Sequence, residues 1–320
     1  MGCEAMEYRK LGQTGVDVSA IVLGAWQYGQ AYWKGIDDSE SVATIRAALD
    51  AGINMIDTAV GYGDGHSESV VARGVGDRRG EVLFASKCWG DPTTIPQTID
   101  DCLKRMGTDC IDLYQVHYPS PRHPICETIG AMAEIQKAGK IRWIGVSNFS
   151  LQQMQEAAAT ARIETCQPPF NVFWRQIDDD VLPFCRENGI SILAYSPLAQ
   201  GLLAGRFRSG ADVPDDIRAQ SKLLAPDILE RCLPTIDRLA EIAAAHGKTL
   251  PQAALAWALA VPGITCTIVG ARRPSQLAEN LGGVGWSLTP AEHEGISRAG
   301  LEVSRLLDFS SNMWGWSPAT

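Results

Sequence analysis

Short apolar runs alternate along the chain with longer stretches in which apolar residues recur every three or four positions. The short runs read as strands: AIVLG at 20–24, INMIDTA at 53–59, VLFASK at 82–87, IDLYQVH at 111–117 and IRWIGVS at 141–147. ETCQ at 164–167, ISILAYS at 190–196 and TCTIVGA at 265–271 bring the set to eight. Few polar residues interrupt them, as expected when helices cover both faces of a parallel sheet. The helical stretches carry their own signals. SESVATIRAALDAG (39–52) aligns Val42, Ile45, Ala48 and Leu49 on one stripe and closes at Gly52; SLQQMQEAAATA (150–161) opens on Ser150, a good N-cap. TLPQAALAWALA (249–260) adds a helix before the last strand.

Eight strand–helix repeats with no break in composition predict one domain over residues 1–320 and an α/β fold, the (β/α)8 TIM barrel. A doubly wound sheet would ordinarily carry G-x-G-x-x-G after its first strand. Here the first strand runs into GAWQYGQ. The glycine loop GYGDGH (61–66) follows the second strand and has His66 where the third glycine belongs. YRKLGQTGVDVS (8–19) reads as a β-hairpin that caps the barrel floor, and further helices are expected after the last strand.

In such barrels reacting groups gather at the C-terminal ends of the strands. Asp57, Lys87 and His117 end the second, third and fourth predicted strands at intervals of 30 residues, so all three should face one mouth. Tyr62 lies five residues past Asp57 in the glycine loop. A phenol with a pKa of about 10 is a weak acid at neutral pH, but a nearby ammonium favours its phenolate and lowers that value. Lys87 is expected to supply the charge, Asp57 to hold Lys87 protonated and aimed, and His117 to hydrogen-bond a substrate oxygen or relay its proton. The quartet suits protonation of a carbonyl oxygen while hydride reaches the carbon. Singly, each residue has a plain alternative: a structural ion pair, a packing tyrosine, a satisfied histidine. Their arrival at successive strand ends argues for function. Cys88 should point away from the mouth, because side chains alternate along a strand.

Composition narrows the field further. With 45% hydrophobic and 20% charged residues the chain can bury a large core, and a formal charge of -9 disfavours nucleic acid, which rewards a basic face. No apolar run approaches the ~20 residues of a membrane span, so no membrane partner is expected. MGCEAMEYRKLG lacks the apolar core of a leader and has Met6 where a myristoylation signal needs Ser or Thr. Nine scattered cysteines without C-x-x-C suggest reduced thiols in a cytoplasm. Five dispersed histidines without H-E-x-x-H predict no metal, and no G-x-S-x-G elbow is present.

AGINMIDTAVGYG (51–63) and MGTDCIDLYQVHY (106–118) resemble the signature stretches of the aldo-keto reductase family, and the likeness runs from YRKLGQTGVDVSAIVLG to SQLAENLGG. The resemblance implies that Tyr62 is the general acid/base, that Lys87 and Asp57 tune it, and that His117 orients the carbonyl. It implies a reduced nicotinamide dinucleotide lying extended across the mouth. Ser147, Asn148 and Gln167 would then hold the carboxamide, Tyr195 would stack on the ring, and Ser196, Leu198 and Gly201 of YSPLAQGLLAG would lie over the pyrophosphate. In VGARRPSQLAEN (269–280), Gly270 opens the loop, Arg272 takes the ribose 2'-phosphate and Arg273 is solvated. Gln276 stands where many relatives carry arginine, and Glu279 and Asn280 meet the adenine. NADPH/NADP+ is favoured, with NADH open.

Trp26, Trp33, Trp89 and Tyr118 fall in or near mouth loops and are expected to wall an apolar substrate pocket; Phe170 stands where a tyrosine is common in similar chains. The substrate is a small carbonyl compound or alcohol, sugar-like carbonyls included. A rival reading is a nonenzymatic, cofactor-binding regulatory subunit of an ion channel, since similar barrels in that role retain the four residues. The tail SNMWGWSPAT either folds back over the mouth, touches a neighbour or frays, and monomer and homo-oligomer both stay open.

Overall fold

The computed structural model describes residues 6–316. Residues 1–5, part of the segment that bears on a leader or lipid anchor, and 317–320 at the end of the tail lie outside the described residues.

Eight parallel strands close into a barrel: β3 (Ile21–Gly24), β4 (Met55–Asp57), β5 (Leu83–Cys88), β6 (Ile111–Val116), β7 (Ile141–Ser147), β8 (Thr165–Gln167), β9 (Ser191–Tyr195) and β10 (Ile264–Gly270). They pair in chain order, and β10 closes the ring against β3. β1 (Tyr8–Lys10) and β2 (Asp17–Ser19) form the antiparallel hairpin. The helices are α1 (Asp38–Asp50), α2 (His66–Val75), α3 (Ile95–Met106), α4 (Ile125–Lys137), α5 (Leu151–Thr160), α6 (Val181–Glu187), α7 (Pro226–Ala245), α8 (Leu250–Ala260), α9 (Pro274–Leu281) and α10 (Pro290–Ser304). The last two follow the final strand, as expected.

Alternation along the strands sorts the side chains into two cores. Met55, Leu83, Ala85, Leu113 and Leu193 fill the barrel interior, and Leu11 and Val18 of the hairpin segment pack with them from the floor. The backbone N–H of Gly12 donates to Ser191 Oγ (2.7 Å) and that of Gln13 to Glu164 Oε2 (2.8 Å), which fastens the hairpin to the starting ends of β8 and β9. Residues of the opposite parity, Ile56, Phe84, Cys88 and Tyr114 among them, meet the helices in the outer core. Cys88 thus points away from the mouth, its Sγ 3.8 Å from Met132 Sδ.

Parity also lifts the polar residues to one end. Within β5, Leu83 and Ala85 sit low in the barrel and Lys87 is next on the same face; β4 carries Asp57 above Met55, and β6 carries Gln115 above Leu113. The helices lock by local chemistry. Ser150 and Gln153 form a capping box on α5, Thr249 and Gln252 another on α8, and Asp37 accepts from Glu40 N at the start of α1.

Element ends depart from the sequence pattern in places. The run 53–59 is buried throughout except for Asn54, but its ladder covers Met55–Asp57 alone, because Thr58 and the residues after it already turn into the mouth loop. α1 begins at Asp38 and ends at Asp50, two residues before Gly52, which takes φ 85°. Between β9 and α7 the chain makes four short 3-10 turns, Ala199–Ala204, Gly210–Asp212, Ile217–Gln220 and Lys222–Leu224.

Candidate active site

Tyr62 reaches the mouth on a loop shaped by backbone contact. A Cβ on Gly63 (φ 67°) would overlap the carbonyl oxygen of Gly29, and one on Gly29 would overlap the carbonyl of Tyr62. The two loops therefore touch main chain to main chain, which glycine permits and any larger residue blocks. The phenol sits over β5. Lys87 Nζ donates to Asp57 Oδ1 (2.5 Å) and to the carbonyl of Thr58 (2.9 Å), and lies 3.3 Å from the Tyr62 hydroxyl. All three ammonium protons thus face an acceptor. Lys87 is fully buried and Asp57 nearly so.

Asp57 has a second hold that the strand pattern does not reveal. Its Oδ2 accepts from Gln167 Nε2 (2.8 Å) and from Gln115 Nε2 (3.2 Å), so two carboxamides orient the carboxylate toward Lys87. The wall of β7 makes room for this. A Cβ on Gly145 would crowd Gln115 Cγ at 2.9 Å and overlap Thr165 Oγ1.

Burial sets the protonation states. The Tyr62 phenol is raised well above its ordinary value, first by desolvation and then by the Asp57 charge. The lowering expected from Lys87 is outweighed: desolvation of the partly buried phenol and the Asp57 charge, which also pairs with the ammonium at 2.5 Å, act in the opposite direction. Tyr62 is held as a protonated donor. Lys87 is itself lowered by burial, opposed by Asp57. His117, one residue past β6, is partly buried in the same pocket and pushed well below the usual imidazole range by desolvation and then by Lys87. It is a neutral ring, stacked under Trp89 (5.3 Å, 18°) and edge-on to Tyr62 (5.6 Å, 82°), with Nδ1 lacking a partner.

From this point a cleft of about 450 Å³ runs across the barrel mouth. Every residue expected to hold a cofactor lines it: Ser147, Asn148 and Gln167, then Tyr195, Ser196, Leu198 and Gly201, then Gly270, Arg272, Gln276, Glu279 and Asn280. Near the tetrad the amides are tied together. Asn148 Nδ2 donates to the His117 carbonyl (3.0 Å), and Tyr195 Oη donates to Asn148 Oδ1 (2.9 Å). Further along, the backbone turns left-handed at Ser196, Ala199 and Gln200, a conformation that costs about 1–2 kcal/mol per non-glycine residue. At the far end Arg272 lies half-buried, its backbone N–H on Gln276 Oε1 (2.8 Å). Arg273 is exposed. Trp26, Trp33, Trp89 and Tyr118 wall the cleft as expected. Phe170 does not: it is fully buried, stacked on Trp257 (5.7 Å, 13°) behind the barrel.

A nicotinamide dinucleotide fits this donor set. Amide and hydroxyl groups cluster beside Tyr62, and Arg206, Arg218 and Arg272 line the other end. Burial and then Arg218 lower the pKa of Arg272, partly offset by Asp216, which is paired with Arg218 (2.6 Å). A Cβ on Gly270 would come within 2.8 Å of Gln27 Oε1, so the glycine makes room for the Gln27 carboxamide, which donates to the Ala271 carbonyl (3.0 Å). Arg206 and Arg218 escaped the sequence reading because they sit in the irregular 3-10 segment, where no periodicity or motif marks them. Among the described residues no cluster of three or more His, Cys, Asp or Glu side chains is arranged to hold a metal.

A closed barrel that gathers Asp57, Tyr62, Lys87 and His117 at one end of a long cleft defines a class that comparison with known proteins names. The chain belongs to the aldo/keto reductase family, whose model matches residues 20–300. It is 38% identical to the aldo-keto reductase YhdN of Bacillus subtilis (strain 168), over 91% of this chain and 93% of that one. It is 31% identical to the NADH-specific methylglyoxal reductase of Escherichia coli (strain K12), over 88% and 94%. The glycerol dehydrogenase AKR11B4 from Gluconobacter oxydans superposes with a TM-score of 0.86 at 32% identity, covering 97% of this chain and 99% of that structure.

Proposed function

We propose that the chain interconverts a small aldehyde or ketone and its alcohol, with Tyr62 as proton donor and acceptor. Lys87 carries this proposal: its ammonium bridges Asp57 Oδ1 and the Tyr62 hydroxyl at the lip of the cleft. When bound, the reduced dinucleotide supplies hydride to the carbonyl carbon. Tyr62 gives its proton to the oxygen as charge builds there, and Lys87, 3.3 Å away, stabilises the phenolate left behind. The high proton affinity of the free phenol does not prevent this, because an alkoxide binds a proton more tightly still. His117, neutral and wedged under Trp89, offers a ring nitrogen to orient the carbonyl. Ser147, Asn148 and Gln167 would hold the carboxamide and choose the ring face.

The arginine cluster of Arg272 with Arg206 and Arg218 supports the 2'-phosphorylated cofactor, NADPH. Family membership leaves this open, since the relative from Escherichia coli is described as NADH-specific. Tyr62→Phe tests the catalytic role. Turnover of carbonyl substrates should fall about 100–10,000-fold with cofactor affinity kept, since the phenol proton is lost but the cleft is not. Undiminished turnover would exclude Tyr62 as the donor. A nonenzymatic regulatory subunit would show no carbonyl-dependent cofactor oxidation before or after the change.

A further inference from the structure

Behind the tetrad, on the helix side of the barrel wall, lies a second buried carboxylate. Glu68, in the first turn of α2, is fully buried. Its Oε1 accepts from Ser86 Oγ (2.6 Å) and its Oε2 from Nε of Arg105 on α3 (2.6 Å). Ser86 precedes Lys87 on β5 and, by strand alternation, faces the helices where Lys87 faces the mouth. Arg105 bears on the same helix start from the other side: a Cβ on Gly65, the N-cap of α2 (φ 83°), would overlap its Nε and Cδ. One carboxylate thus ties the start of α2 both to α3 and to the strand that carries the ammonium.

The start of α2 is also the far end of the tyrosine loop. The backbone N–H of Ser67 donates to the Tyr62 carbonyl (3.2 Å), and that of Gly65 to the Val60 carbonyl (2.8 Å). Ser67 Oγ accepts from Thr58 Oγ1 (2.8 Å) and donates to the Ala25 carbonyl (2.7 Å). At its near end the loop rests on β5, where the Val60 N–H donates to the Lys87 carbonyl (3.3 Å). Tyr62 therefore moves with α2, and Glu68 decides where α2 sits relative to β5.

We propose that Glu68 is a positioning residue for the proton transfer: by holding α2 on Ser86 and Arg105 it fixes the Tyr62 hydroxyl over Lys87. This rests on the redox reading above. Stability alone does not account for the arrangement. A buried ion pair is often no better than an apolar pair of the same volume, and this one leaves Arg105 Nη2 buried with no partner among the described residues. What the charged pair adds is direction. The two carboxylate oxygens accept from two different elements, so α2 cannot slide along β5 or turn about its axis without stretching one of the bonds. An apolar contact permits both movements. The distance at stake is the 3.3 Å between Lys87 Nζ and the Tyr62 hydroxyl, and a displacement of about 1 Å at a reacting group costs on the order of 100-fold in rate. The Glu68 charge acts in the same sense as Asp57 in favouring a protonated Lys87.

The test is a double-variant cycle on the purified full chain, with the reduced cofactor and the aldehyde that wild type uses best from a panel of short aliphatic and aromatic aldehydes. Glu68→Gln keeps the volume and one oxygen for Ser86 but loses the charge that holds Arg105. It should lower kcat about 10–100-fold, with KM and cofactor Kd within about threefold of wild type, because Glu68 is buried behind β5. Made on top of Lys87→Met, the same change should cost less than about threefold, since a phenol that has lost its ammonium no longer depends on being held over it. A general loosening of the fold would instead lower kcat by one factor in both backgrounds. Ser86→Ala cuts a single tie, should lower kcat about 3–10-fold with the same dependence on Lys87, and decides the matter if Glu68→Gln does not fold. Wild-type kcat in Glu68→Gln while Tyr62→Phe stays impaired, or equal losses in both backgrounds, overturns the positioning role and leaves the redox reading intact. If wild type oxidises no cofactor with any aldehyde, or Tyr62→Phe turns over undiminished, the redox reading falls and this inference falls with it.

Discussion

Replacing Lys87 by Met removes the ammonium but keeps an unbranched apolar side chain in the barrel. Three interactions go: Asp57 Oδ1 at 2.5 Å, the Thr58 carbonyl at 2.9 Å and the Tyr62 hydroxyl at 3.3 Å. Asp57 keeps Gln167 and Gln115, so its charge stays buried with two neutral donors and no cation. Breaking one partner out of a buried ion pair destabilises by about 3–5 kcal/mol. An unfolding entropy of about 2.1 cal/mol/K per residue over 320 residues is about 0.7 kcal/mol/K, so the melting temperature should fall by about 4–7 °C. Catalysis should suffer separately. Losing a charge-assisted hydrogen bond to the phenolate removes about 1.5–3 kcal/mol of transition-state stabilisation, or about 10–150-fold in kcat. Asp57→Asn in the same chain removes the stranded charge, so the double variant should recover most of the melting temperature and none of the kcat. Calorimetry and initial rates on wild type, both singles and the double complete the cycle. If Lys87→Met melts low but turns over within about threefold of wild type, then Lys87 is a structural partner and Tyr62 draws its competence from elsewhere.

Two further expectations concern charge. Burial keeps His117 unprotonated in the folded chain well below the ordinary imidazole pKa of about 6.5, while the unfolded chain takes up that proton. Stability is thus lost as pH falls below about 6.5, by up to about 2 kcal/mol at pH 5, and His117→Gln should lose that much less between pH 7.5 and 5 in urea melts. An identical acid loss in the variant would show that His117 is protonated in the folded state. Arg272→Ala should weaken NADP+ binding about 10–100-fold and NAD+ by less than about threefold, read from the fluorescence of the adjacent Trp33. Equal weakening of both would place the 2'-phosphate elsewhere.

The strands were legible because a covered parallel strand has few polar positions, and the tetrad was legible because three of its members sit at strand ends one repeat apart. Gln115 was not. One glutamine among the polar residues of IDLYQVH carries no signal until the barrel closes and brings it to 3.2 Å from Asp57, 58 residues away in the chain. Arg206 and Arg218 are hidden for a different reason: their segment is held by turns and long-range contacts, and these leave no period in the sequence. Phe170, where similar chains often carry a tyrosine, lies away from the cleft. Its ring stacks on Trp257 of α8 instead, a contact between distant parts of the chain that leaves no local signal. The proton affinity of Tyr62 also depended on closure, since its direction is set by how completely water is excluded. Of the three fates left open for the tail, the described part follows the first and lies across the mouth.

The Gly29–Gly63 contact divides the rim into a part that can be redesigned and a part that cannot. With main chain against main chain, neither loop tolerates a side chain at the touching point, and an insertion in either would lift Tyr62 off Lys87. The segment 312–316 has no such constraint: it rests on side-chain and carbonyl anchors that many sequences can supply. New specificities are therefore best sought by exchanging the tail, with the tyrosine loop left as it stands.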